Sequence, residues 1–287
     1  MTVAEIILLA IKASIVAMVF ALGLRSKPSD VPALLRRPGL LARALLSMNV
    51  VMPLVAIAAV RVFDLREDVA VTLIAISLSP IPPLLPRKET SGGGDRSFAV
   101  GLLVVFAVLA VAWIPLAVPL IGNLFGREVG VPPLPIARIV IGLVLLPLVL
   151  GIALRRFAPA LALRIEPPIP LAANATLLIA AVLIIFSARH EIAAQVGDGT
   201  IVLLAAFVLI GLAVGHLLGG PEPGERMDLA LTTACRHPGI ALASAQLAFP
   251  DALEPKAVLI IYLLVNITIG MIYIRWRRAA VRGTSPG

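Results

Sequence analysis

The sequence predicts an all-α polytopic membrane protein with nine transmembrane helices, inverted repeats, and two broken helices crossing at mid-membrane. Three observations lead there. Of the 287 residues, 60% are hydrophobic and only 14% charged, with a mean hydropathy of +1.05; a soluble domain carries roughly a quarter charged residues. The apolar residues fall into nine runs close to the length of about 20 residues that crosses a bilayer as a helix. Two of those runs, one in each half of the chain, are interrupted by proline.

The first run is Val3–Leu24. It lacks a basic leader, contains Glu5, and exceeds the core of about 7–15 residues found in a secretory signal, so it is expected to remain as the first span. Leu40–Val60 is the second. Val69–Lys88 is the third, broken by Pro80, Pro82, Pro83 and Pro86. Proline removes a backbone donor and clashes with the preceding turn, so this stretch cannot be one continuous helix. Ser97–Ile121, Pro135–Leu154, Pro170–Ala188 and Thr200–Leu218 are uninterrupted spans. The eighth, Met227–Phe249, contains Thr232-Thr233-Ala234-Cys235-Arg236-His237-Pro238-Gly239, where Pro238 and Gly239 break the helix beside two polar side chains. Pro255–Ile274 closes the series.

The connections are short and rich in Pro, Gly and charge, so function must reside in the bundle. Gly92-Gly93-Gly94 followed by Asp95 reads as a helix stop and the next N-cap; no Lys-Ser/Thr follows to make a phosphate loop. Arg25, Lys27, Arg36, Arg37, Arg87, Lys88, Arg155, Arg156, Arg226, Arg275 and Arg277 fall on one side of the predicted membrane, against Arg61, Arg66, Arg127, Arg189 and Lys256 on the other. The positive-inside rule then puts the N-terminus outside and the C-terminus in the cytoplasm, in a bacterial inner membrane. The third span runs inward and the eighth outward. Spans one to four therefore match spans six to nine with opposite topology, and the fifth is left over.

Other classes fit poorly. The net charge of +8 comes from residues at span ends rather than from a basic module, so no nucleic-acid partner is expected. One cysteine and three scattered histidines give no metal-ligand spacing, and no metal or cofactor is expected. The acids never pair within a span, as a membrane enzyme would need. A non-transporting sensor or partner subunit stays open. The expected partners are the lipid bilayer and a small organic anion.

Two proline-broken spans in corresponding halves are the sequence mark of a transporter whose substrate site lies where the breaks meet. The order of short motifs adds a family. Ala21-Leu22-Gly23-Leu24-Arg25, Arg37-Pro38, Met48-Asn49-Val50-Val51-Met52-Pro53, the proline break, Gly94-Asp95, and Thr232 to Ala243 together resemble the bile acid:sodium symporter family in its nine-span form. The resemblance implies a core of spans at about 40–60, 69–121 and 200–276, and a panel of spans at about 3–24 and 135–188. It also implies transport of organic anions, commonly with sodium, by movement of core against panel. The ion sites depart from the family pattern. Leu85 and Pro86 stand where the family has Ser and Asn, and Thr232, Arg236 and His237 stand where it has Glu, Gln and Asn. Sodium coupling of the usual form is therefore not expected, leaving proton-coupled or facilitative transport, or sodium sites relocated elsewhere.

Arg236 is the sharpest site candidate, because an arginine at membrane depth is costly. It reads either as the ligand of a substrate carboxylate or sulfonate, or as a structural arginine bonded to carbonyls freed at the break. His237 reads as a proton carrier or as a histidine bonded to broken backbone. Thr232, Thr233 and Ser79 either line the site or bond back to their own helices. Asn49 lies in the region of the family's ion sites. Arg87 and Lys88 face the cavity if a half-helix starts near Pro86, and otherwise flank the membrane. Lys12 either faces the space between panel and core or pairs with Glu5, seven residues back.

Overall fold

In the computed structural model the described residues are 3–27, 29–30, 32, 34–82, 96–125, 130–187, 189–194, 198–248 and 255–283. Every regular element among them is helical. We number the principal helices α1 (Val3–Arg25), α2 (Pro38–Val62), α3 (Glu67–Leu78), α4 (Arg96–Leu124), α5 (Pro133–Phe157), α6 (Pro168–Ser187), α7 (Thr200–Leu218), α8 (Pro223–Ala234), α9 (Pro238–Ala248) and α10 (Pro255–Gly283).

Among the described residues seven stretches are long and apolar enough to cross a membrane: Glu5–Arg25, Pro38–Val62, Ser97–Leu124, Pro133–Phe157, Pro159–Ser187, Thr200–Leu218 and Lys256–Ala279. These correspond to the seven uninterrupted runs of the sequence. The two runs with prolines give shorter pieces. At 1.5 Å per residue, the 12 residues of α3, 12 of α8 and 11 of α9 each reach only about 16–18 Å, against a hydrocarbon core of about 30 Å. None of α3, α8 and α9 is thus long enough to cross singly.

The outer surface is apolar. Leu171, Leu178, Ile179, Val182 and Phe186 of α6 and Leu116 and Leu120 of α4 are exposed, the arrangement expected of helices that face lipid. Ion pairs gather at the helix ends. An ion pair from Arg25 to Glu166 ties the end of α1 to the connection before α6, and another from Arg37 to Glu225 ties the start of α2 to α8. On the other side Arg66 meets Asp68 at 3.0 Å and Asp198 at 3.6 Å. Asp198 also accepts the Thr200 N–H at 3.0 Å and so caps the start of α7. Slight burial pushes its pKa up, but the hydrogen bonds to Thr200 and the charge of Arg66 outweigh that and hold it below the ordinary 3.8.

Small residues set the closest helix contacts. α1 packs on α5 and α6, and a Cβ at Gly23 would run into the Leu148 carbonyl. α7 packs on α8 through Gly211, Gly215 and Gly219, spaced four apart on one face. A Cβ at Gly211 would lie 2.9 Å from Ala234 Cα, and one at Gly215 would strike the Leu229 carbonyl. This close approach fixes where α8 ends, because Ala234 is its last residue.

Two local defects are built by proline. α2 takes a π-turn over Leu46–Val51, just before Pro53, and α5 takes one over Ile141–Leu145, just before Pro147. In α2 the Met52 N–H bonds to Ser47 O, five residues back. In that register Met48 O would take its proton from residue 53, but proline has none. The Met48 carbonyl is therefore free for a partner from elsewhere. The sequence placed the second span from Leu40 and the last only to Ile274; the helices start at Pro38 and run to Gly283.

Candidate functional site at the crossing of two interrupted helices

The site begins with what two breaks leave unsatisfied. α3 stops at Leu78, because Pro80 and Pro82 cannot continue it; Ser79 turns to extended backbone and Pro80 to Pro82 follow without regular structure. α8 stops at Ala234, and Cys235, Arg236 and His237 bridge to α9. A continuous helix would satisfy Ala234 O with the N–H of residue 238, which is proline. Tyr262 Oη and Asn266 Nδ2 of α10 supply donors instead, at 2.8 and 2.9 Å. Tyr262 Oη then accepts the Arg236 N–H at 2.9 Å, and Asn266 Oδ1 receives the Cys235 thiol at 2.8 Å. One tyrosine and one asparagine thereby repair the severed helix end.

The breaks touch each other. The His237 N–H donates to Pro80 O at 2.8 Å. Arg236 is 3% exposed; its Nη1 donates to Ser79 O at 3.2 Å and its Nη2 to Met48 O at 3.0 Å. The guanidinium thus joins the carbonyl at the end of α3 to the carbonyl freed by the π-turn of α2. Electrostatics favour a cation there. Each helix C-terminus carries about half a negative charge, and the ends of both α3 and α8 converge on this residue. Arg236 Nε has no partner among the described residues.

His237 caps α9. Its Nδ1 accepts the Ile240 N–H at 3.3 Å, and its carbonyl accepts the Ala241 N–H at 3.0 Å. With Nδ1 an acceptor, the ring proton sits on Nε2, which is buried and lacks a partner among the described residues. Thr232 Oγ1 bonds back to Asp228 O at 2.8 Å. Thr233 Oγ1 donates to Leu229 O at 2.7 Å and lies 3.1 Å from Ser47 Oγ of the π-turn. Ser79 Oγ bonds back to Ile76 O at 3.0 Å. Asn49 follows Met48, and its Oδ1 is buried with no partner among the described residues.

Of the residues singled out by sequence, the structure brings Arg236, His237, Ser79 and Pro80 into direct contact through these bonds. Thr233 meets Ser47, the neighbour of Met48. Pro238 and Gly239 begin α9, and Pro82 lies in the irregular stretch after α3. Lys12 is exposed on α1, whose main neighbours are α5 and α6. Pro83, Pro86, Arg87, Lys88 and Gly92 to Asp95 lie outside the described residues. Sequence reasoning missed Tyr262, the Met48 carbonyl and Ser47. The Pro53 position was the one signal that could have pointed to Met48.

A cavity of about 300 Å³ adjoins both interrupted helices. It is lined by Glu67, Val71 and Ala75 of α3, Ile121 of α4, Phe125 just beyond it, and Ser244 and Ala248 of α9. The lining is mainly apolar, and none of the sequence-nominated substrate residues among the described ones belongs to it. Its volume is at the lower end for a small-molecule site.

No curated protein matches the chain. A family profile does: that of the Sodium Bile acid symporter family covers residues 13–195, from α1 through α6, and stops short of α8 and α9. That stretch includes the π-turn of α2 and the first break, the structures on which Arg236 closes from outside it. The match spans more than half of the chain, in a bundle whose helices are long and apolar enough for a bilayer, and with it the chain belongs to the sodium bile acid symporter family, as an integral membrane protein of transporter type.

Proposed function

We propose that the protein is a secondary transporter of a small organic anion, working by alternating access, in which the Arg236 guanidinium stands where a coupled sodium ion would otherwise sit. The observation that carries this reading is the pair of bonds from Arg236 to Ser79 O and Met48 O. Backbone carbonyls at a broken helix end are sodium-ligand chemistry. A guanidinium already bonded to them competes with a metal cation for the same oxygens and repels it. The charge is resident, so transport proceeds without a sodium gradient, proton-coupled or facilitative.

In this account α3 and the α8–α9 pair each form one further, interrupted span, which brings the total to nine and gives the two halves opposite topology. α1, α5 and α6 act as the panel and the remaining helices as the moving core. The C-terminus is cytoplasmic in a bacterial inner membrane, as the arginine distribution supports. The substrate's anionic group binds near the crossing, drawn by the Arg236 charge and the positive N-terminus of α9. Each Nη atom already gives one N–H to a carbonyl, so Arg236 attracts the anion through its field and its unpartnered Nε–H, with the His237 Nε2 proton as a further free donor.

The test is uptake of labelled carboxylates and sulfonates by purified protein in liposomes, with and without a sodium gradient, for the native chain and Arg236→Gln. Uptake independent of sodium and abolished by the substitution supports the reading. A second reading, that Arg236 only staples three chain segments together, draws on the same two bonds. It predicts that Arg236→Gln loses thermal stability in proportion to its loss of transport, and that a variant stabilised elsewhere regains uptake.

A further inference from the structure

We propose that the rim of the bundle around Gly220, between α7 and α8, binds the phosphate head of an anionic phospholipid. The observations are separate from those at the crossing and do not depend on the transport reading. Gly220 takes a left-handed φ of 84° in the turn between the two helices. Two guanidinia converge on it. Arg226 Nε and Nη2 bond to its carbonyl at 3.0 and 2.8 Å, and Arg43 Nη1 lies 3.1 Å from where a Cβ would stand. Arg277 is a third. It lies over the Trp276 ring at 5.7 Å, reaches Pro223 O at 3.4 Å through Nη2, and keeps a buried Nε without a partner among the described residues.

Aromatic rings line the same rim. His216 Nδ1 is 2.7 Å from Tyr273 Oη, and the rings of His216, Tyr273 and Trp276 sit 5.7 to 5.9 Å apart. Arg226 and Arg277 both lie within electrostatic reach of this group. The acid facing it is Asp228, which is buried; Glu222 lies in the connection, and Glu225 is held by Arg37. Next to the rim, Leu217 and Ile272 are exposed, giving an apolar face for acyl chains beneath the guanidinia. Tyr and Trp at the level of the head groups, basic side chains above and apolar side chains below fit a phospholipid more closely than a free anion. Bound there, the head group would bridge α2, the α7–α8 turn and α10, and so brace the helices that carry the crossing.

The experiment uses the full chain in neutral detergent, with phosphatidylglycerol, phosphatidylcholine or inorganic phosphate added. The readouts are retained lipid by native mass spectrometry and the thermal midpoint. Phosphatidylglycerol should be retained and raise the midpoint, with the other two additions doing neither. Arg43→Gln, at an exposed position, should weaken retention roughly fivefold, and Arg43→Gln/Arg277→Gln further, each with an unchanged midpoint in phosphatidylcholine. Equal retention of the two lipids, equal binding by the native chain and Arg43→Gln, or full competition by inorganic phosphate would each overturn the proposal. Should the double variant not fold, Arg43→Gln decides alone.

Discussion

The backbone N–H of His237 donates to the carbonyl oxygen of Pro80 at 2.8 Å, joining residues 157 positions apart through main chain alone. Each partner is available because its own helix has failed. Pro80 follows the end of α3, and His237 precedes the proline that opens α9. The contact therefore needs both breaks, and the side chain of Arg236 seals it by reaching Ser79 O from the adjoining residue.

Tyr262→Phe tests how the severed end of α8 is held. The hydroxyl accepts the Arg236 N–H and donates to Ala234 O, while Asn266 also serves that carbonyl. Losing the hydroxyl orphans the Arg236 N–H but not Ala234 O, a cost of about 1–3 kcal/mol. In a double-mutant cycle with Asn266→Leu the two losses should be non-additive, because the second removes the last donor to Ala234 O. Thermal unfolding of the four proteins in detergent measures this; additive effects would mean that the two side chains do not share the carbonyl.

Gly215→Ala tests the close contact that places Ala234. The new Cβ would meet Leu229 O, a backbone atom that cannot yield without moving α8. Destabilisation of about 1–3 kcal/mol is expected. Gly39→Ala, where a Cβ meets nothing within 4 Å, serves as the control and should be close to neutral.

The prolines made the break in the eighth run legible from sequence, since Pro238 and Gly239 beside Arg236 cannot belong to an unbroken helix. The first break was equally plain at Pro80 and Pro82. The partners of the breaks were not legible. Tyr262 looks like any aromatic residue in an apolar span, and only the fold brings it to Ala234. Met48 offers a backbone oxygen, whose availability depends on a π-turn register that no side-chain pattern encodes, although Pro53 hints at it. Lys12 could not be placed because α1 carries few polar residues in its interior, Glu5, Lys12 and Ser14, which do not define one polar face. Seven spans followed from length and hydropathy. The two proline-broken runs give short helices that these criteria do not recognise as spans.

Acid should weaken the start of α7. Asp198 has a folded-state pKa held below its ordinary value, so its contribution to stability is fully present above that ordinary value and is lost as pH falls through the lower folded value. The native chain should therefore lose part of its thermal stability below about pH 4. Asp198→Asn should show a lower midpoint at neutral pH and a flatter profile through the acid range. An identical pH profile for the two proteins would remove Asp198 from the account.

Arg236→Lys separates charge from geometry. Lysine keeps the charge but has no planar fork to span Ser79 O and Met48 O together, so one carbonyl loses its donor. Stability should fall by about 1.5–3 kcal/mol, with sodium-independent uptake reduced rather than abolished. A lysine variant as inactive as Arg236→Gln, yet as stable as the native chain, would mean that charge at this position is not what sustains transport.

The most direct measurement is initial uptake of a transported anion into liposomes holding the purified chain, compared with and without an inward sodium gradient at fixed membrane potential. A resident guanidinium at the crossing predicts equal rates in the two conditions for the native chain and none for Arg236→Gln. Uptake that requires sodium in the native chain would contradict it.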